Sequence, residues 1–221
     1  STLTIGSGGL TGKVDGSAAN VGTVTFNSTG AITLASGTTI GSNSDASTTN
    51  GVSAVNITGT SAVTANDAIK ATTVTIGDGT NTASLALAAS KAITGNVVIN
   101  ASGTLTLNNS SSVSGTINAA SSGVGTLAIA SSSSVVAAAN IGGSSSSTAL
   151  SSVTVGSSST LNLATNNVTL RATTVSLTGT LTAGSGVVTG TIQGSSDGAG
   201  TVNFNASQTL AGNVGTSANS L

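Results

Sequence analysis

The sequence has no proline, cysteine, methionine, tryptophan, tyrosine or histidine, and charged residues fill only 4% of its 221 positions. Without cysteine there are no disulfide staples and no thiolate metal sites within the chain. Without histidine, cysteine, tyrosine or glutamate, general acid–base and nucleophilic chemistry lack their usual carriers. Four basic side chains against five acidic ones cannot build a phosphate-tracking patch, so nucleic acid is not an expected partner. No apolar run approaches the roughly 18 residues of a membrane span, and no insertion by this segment is expected. Collagen is excluded because the 30 glycines show no three-residue period and proline is missing. Disorder is excluded on the other side. It needs low hydrophobicity and high net charge, whereas mean hydropathy here is +0.38 and net charge is −1.

The whole ionic inventory is Lys13, Lys70, Lys91, Arg171, Asp15, Asp45, Asp67, Asp78 and Asp197. Only Phe26 and Phe204 are aromatic, so any core must be built from Val, Ile, Leu and Ala. The chain begins at Ser1 without Met or a signal-type apolar stretch, which reads as processed or cut from something longer.

What is present is alternation. Thr2-Leu3-Thr4-Ile5, Thr23-Val24-Thr25-Phe26, Ile32-Thr33-Leu34, Val55-Asn56-Ile57 and Val74-Thr75-Ile76 set apolar residues two apart around a small polar one. Leu85 to Leu87, Leu105 to Leu107, Val153 to Val155, Leu161 to Leu163, Val168 to Leu170 and Val175 to Leu177 repeat the pattern. One face of each segment is buried and one solvated, the period-2 signature of a strand. Clusters of Gly, Ser and Asn separate the segments and read as turns. The stretch Val135 to Ala139 reads as a strand and a corner.

Three blocks align without gaps: Leu10 to Phe26, Val113 to Ile129 and Val188 to Phe204. The pairs Val24 and Phe26, Leu127 and Ile129, and Val202 and Phe204 fall at matching places and are expected as equivalent inward core residues. Lys70 to Ile76 aligns likewise with Arg171 to Leu177. Strand-sized units repeated in phase predict an all-β parallel solenoid of about ten coils, each roughly 20 residues long and stacked about 4.8 Å apart. A β-sandwich, pilin-like subunit is the alternative. The whole of 1–221 reads as one repetitive segment whose ends fall mid-repeat. Leu221 followed by Ser1 to Gly6 would reproduce the internal motif Leu150 to Gly156. Leu3, Ile5, Val214 and Leu221 are therefore the expected assembly ends. They would join copies head to tail or lie between covalent tandem repeats.

The Gly-x-Gly-Thr-[Val/Leu]-x-[Phe/Ile] blocks at 20–26, 123–129 and 198–204 resemble autotransporter passenger repeats, closest to the rickettsial surface-antigen type; Asn20 replaces the leading Gly of the first. Ile40-Gly41, Ile141-Gly142, Val214-Gly215 and the Ala-Thr-Thr-Val strands carry the same resemblance. It implies a long β-helix on a bacterial cell surface, acting in a coat or in adhesion to glycan or host protein. No outer-membrane barrel sequence is present, and the aromatic and Asn content is low.

Chemical motifs are sparse. Ser90-Lys91 would be a Ser–Lys pair only if the two faced the same side, which strand neighbours do not. Gly6 to Lys13 has phosphate-loop composition with the wrong Gly spacing and Val14 where Ser or Thr is required. Gly77-Asp78-Gly79 and Ser196-Asp197-Gly198 lack the repeat of calcium-binding solenoids and read as turns. The sequons at Asn27, Asn56, Asn108, Asn109, Asn167 and Asn205 read mainly as ladder residues. No cofactor, metal or catalytic site is expected, and the chain is not expected to be an enzyme. Thr-x-Thr at 2–4, 23–25, 104–106, 178–180 and 180–182 evokes an ice lattice, but the sequence intervals are irregular. The expected role is an extracellular, self-stacking structural unit of a fibre, filament or coat; an adhesin is the alternative.

Overall fold

The structure is a computed structural model and describes residues 1–41, 51–143 and 145–221; Asp45 lies outside them. The chain opens with β1 (Thr2–Ile5), β2 (Thr23–Ser28), β3 (Ala31–Leu34), β4 (Val52–Gly59) and β5 (Ala62–Ala65). Next come β6 (Ile69–Ile76), β7 (Ala83–Leu87), β8 (Ala92–Ile99), β9 (Gly103–Leu107), β10 (Ser112–Val113) and β11 (Ile117–Ala119). The second half holds β12 (Val124–Ile129), β13 (Ser134–Val136), β14 (Leu150–Val155), β15 (Thr160–Asn162) and β16 (Leu170–Leu177). It ends with β17 (Thr180–Ala183), β18 (Val188–Gly194), β19 (Thr201–Phe204) and β20 (Leu210–Ala211). Among the described residues the one helical element is a 3-10 turn at Ser146–Thr148.

Every strand pairing is parallel. The chain winds as a β-solenoid of about nine turns, and the sandwich alternative is set aside because it requires antiparallel neighbours. Each turn visits three faces. The first sheet runs β1-β2-β4-β6-β8-β10, with β11 also on β8. The second runs β3-β5-β7-β9-β12-β14-β16-β18-β20, and the third β13-β15-β17-β19. Isolated bridges extend these columns. Leu10 meets Leu34, Val14 meets Ile40 and then Ile69, and Ile117 meets Ile141 and then Leu170.

Period-2 alternation decides what lies inside. Along β7 the buried Ala83, Leu85 and Leu87 alternate with Ser84 and Ala86, and β9 and β12 do the same. Inward residues stack on inward residues of the next coil: Ile5 on Phe26, Phe26 on Ile57, Ile57 on Ile76, Ile76 on Ile99. All five are buried. A parallel in-register stack leaves one apolar column for each inward position, so the core is continuous along the axis.

The three aligned blocks do not fall on one face. Phe26 is in the first sheet, Ile129 in the second and Phe204 in the third. Likewise β6 and β16 carry matching sequences 101 positions apart, yet β6 is in the first sheet and β16 in the second. Their local geometry is nonetheless alike. Each meets the next strand with a register shift at the same place, between Lys70 and Thr73 and between Arg171 and Thr174. The long repeat is thus not a whole number of turns, and equivalent segments come round one face out of phase.

Candidate interaction surfaces

Three kinds of surface remain once the core is buried: the two end coils, the corners and the outer faces of the sheets. At the first end, Leu3 pairs in register with Val24, which is 1% exposed, yet Leu3 itself is 43% exposed. Ile5 beside it is buried under Phe26. A hollow next to β1 is lined by Leu3, Val14, Asp15 and Val21. At the other end Phe204 lies opposite the buried Ala183, and Val214 is bridged to the buried Ile192. Phe204 is nevertheless 50% and Val214 51% exposed, while Val202, Leu210 and Leu221 are partly buried against the core. All three exposed residues occupy inward register with a paired coil on one side only. The expectation that Phe204 would be buried like Phe26 and Ile129 is therefore corrected. Its register is inward, but β19 is the outermost strand of its sheet. Val24, Leu127 and Ile129 are buried as expected.

The corners are built from hydroxyl groups as much as from glycine. Ser90, Ser102, Ser110, Ser132 and Ser158 all have φ between 56° and 60°, a left-handed conformation uncommon outside Gly, Asn and Asp. In three corners the following serine is buried and donates back to the chain. Ser111 Oγ donates to Asn108 O at 2.7 Å, Ser133 Oγ to Ser131 O at 3.4 Å and Ser159 Oγ to Gly156 O at 2.5 Å. On the adjoining edge Ser61 Oγ accepts the amide of Ser28 at 2.7 Å and is fully buried. The sequence reading missed these serines. A signal was present, because Ser61, Ser111, Ser133 and Ser159 each follow an inward strand residue (Ile57, Leu107, Ile129, Val155) by four.

The charged groups also secure corners. Asp78 accepts from the amides of Asn81 and Thr80, from the Asn81 side chain and from the amide of Gly59 in the coil below. These donors, Asn81 first, hold its carboxyl well below the usual carboxylate range. Partial burial works against the charge on Asp67. The amides of Gly37 and Ala68, with Lys91 at 3.5 Å, outweigh it and keep the pKa lowered. Asp197 is lowered chiefly by the Ser220 hydroxyl. The oxygens of Asp78 are thus occupied by donors of its own turn and by the Gly59 amide of the coil below. Among the described residues no group of three or more His, Cys, Asp or Glu is placed to hold a metal ion.

Ser90 and Lys91 sit in a turn before β8, not in a strand; Ser90 has φ 60° and Lys91 reaches Asp67. The Gly6 to Lys13 segment starts as a turn, closed by Gly9 N donating to Gly6 O at 3.3 Å, and continues into the bridge of Leu10 to Leu34. Asn108 Nδ2 donates to Leu87 O at 2.8 Å and Asn109 Oδ1 accepts from Ser134 N at 3.0 Å, so both join neighbouring coils.

Fold and surfaces define a parallel β-solenoid with hydroxyl-rich corners. No protein-family model, curated protein or solved structure matches the chain.

Proposed function

We propose that the chain is a structural element of an extracellular fibre, filament or coat, in which solenoid coils continue by stacking on further coils. The observation that carries this reading is the inward register of Leu3, Phe204 and Val214, combined with exposures of 43%, 50% and 51%. Open strand edges with apolar side chains invite another strand unless a polar cap covers them. The partner coil comes from another copy, head to tail, or from more of the same repeat. A heterologous contact of this kind propagates as an open filament. The resemblance to autotransporter passengers supports an outer-surface location. The reading assigns no catalytic role and no cofactor, in keeping with a chain lacking His, Cys, Tyr and Glu.

The second reading is an adhesin that engages glycan or host protein through a sheet face. Outward Thr and Asn on β2, β4 and β6 favour it. Negative-stain microscopy of the purified 221-residue chain separates the two. Filaments one solenoid wide are expected for the first, and a chain that stays monomeric at high concentration would end it.

A further inference from the structure

We propose that the outer face of the second sheet is an ice-binding surface. Two columns of outward side chains run along that sheet in unbroken register. The first is Ser84, Thr104, Thr126, Ser152, Thr174 and Thr191, one hydroxyl per coil over six successive coils. The second, two residues further along each strand, is Ala86, Thr106, Ala128, Thr154, Ser176 and Gln193. All twelve are partly exposed, and none is charged or aromatic.

The sequence conceals this array. Successive members of the hydroxyl column lie between 17 and 26 residues apart, and the irregular Thr-x-Thr intervals counted against a lattice. In the folded chain the corners take up the difference. The longest interval, Thr126 to Ser152, contains the 3-10 turn at Ser146–Thr148, yet Thr126 Oγ1 and Ser152 Oγ lie 3.1 Å apart. The spacing between coils is set by backbone hydrogen bonding at about 4.8 Å, and spacing along a strand at about 6.6 Å for two residues. The result is a two-dimensional grid about 25 Å long, whose coil spacing is near the oxygen repeat of hexagonal ice.

The chemistry of the grid selects its partner. The twelve grid residues carry no charge, and Arg171 at the start of β16 is turned to the carbonyl of Gly143 at 2.8 Å, so the grid itself has nothing to steer an ionic ligand. A face without Trp, Tyr or Phe has no ring on which a sugar could stack, which disfavours polysaccharide. Thr offers a methyl and a hydroxyl on a side chain already restricted at χ1, so little entropy is lost on docking to a rigid lattice. Neither column of the first sheet has a run like Ser84 to Thr191: Thr25, Asn56, Thr75, Val98 and Thr23, Ala54, Thr73, Asn96 both interrupt hydroxyls with amide or apolar groups. This proposal stands apart from the stacking of end coils, because the grid lies on the side of the rod.

The test is single-crystal ice growth with the purified chain in a nanolitre osmometer. The chain is expected to facet ice crystals and to separate freezing from melting. Thr126→Lys with Thr174→Lys should lose at least tenfold of that gap, and Ser152→Tyr should lose it similarly. Thr25→Lys with Thr75→Lys, on the first sheet, should retain it, with circular dichroism confirming that every variant is folded. Round crystals like those in buffer would overturn the proposal. So would equal loss from both faces, or retention on insoluble β-glucan without any effect on ice.

Discussion

A Cβ added at Gly95 would lie 1.7 Å from the carbonyl oxygen of Ala71 in the coil below. Gly95 has φ 133° and sits where β8 crosses the register shift of β6. Gly190 repeats the relationship where β18 crosses the register shift of β16, with φ 120° and 1.8 Å to Ala172 O. Gly95→Ala is expected to destabilise by about 3 kcal/mol, since strain and a backbone clash add. Gly8, with nothing within 4 Å of its Cβ position, should tolerate alanine within about 0.5 kcal/mol. Urea denaturation of the two variants checks the contrast.

The two phenylalanines should differ although their sequence contexts match. Phe26 is fully buried and Phe204 is half exposed. Phe26→Ala should cost about 3–5 kcal/mol, and Phe26→Asp at least as much because the new charge has no partner. Phe204→Ala in the isolated chain should cost under about 1 kcal/mol. Equal losses at both positions would contradict the exposed end coil.

Ser61 connects two coils through a buried contact, accepting the Ser28 amide and donating to Ser28 O at 3.3 Å. Ser61→Ala leaves that amide without its partner in a buried corner. The expected loss is about 1–3 kcal/mol, read from the denaturation midpoint; an unchanged midpoint would show that the contact contributes nothing.

Acid should be the main ionic stress. The carboxyls of Asp67, Asp78 and Asp197 all titrate below the usual value in the folded chain. Their stabilisation is present above the unfolded pKa of about 4 and is lost as pH falls through the folded values. No histidine is available to titrate near neutrality. The thermal midpoint should therefore stay level from about pH 6 to 8 and fall below about pH 4, and Asp78→Asn should lessen that fall. A drop between pH 5 and 7 would point to another group.

Self-stacking makes its own demand on the first coil. Leu3→Lys with Ile5→Lys places two charges in the inward register of β1 and should give a folded chain that no longer forms filaments. Light scattering and circular dichroism read the two properties separately. Filaments from this variant equal to those of the parent chain would exclude β1 from the contact.

The period-2 segments, their inward and outward sides and the stacked parallel architecture were legible in the residues, whereas β5, β8 and β20 gave no such reading. Val153-Thr154-Val155 and Leu105-Thr106-Leu107 state their buried side directly, because alternation across a strand is a property of neighbouring residues. One segment resisted: Val168-Thr169-Leu170 reads as a strand, but β16 begins only at Leu170, after the chain has turned the corner. Which face a segment occupies was not legible at all. That depends on the summed length of every corner before it, and an interval of 17 residues closes a turn here as well as one of 26. Hence Lys70 to Ile76 and Arg171 to Leu177, which share the run Ala-Thr-Thr-Val with conservative changes elsewhere, lie in different sheets. Phe204 is exposed although its sequence matches that of Phe26, because β19 is the outermost strand of its sheet whereas Phe26 lies between Ile5 and Ile57, and only the tertiary structure decides where the neighbours are. Local side-chain chemistry determined the strands, and the accumulated path through the corners determined the hydroxyl column from Ser84 to Thr191.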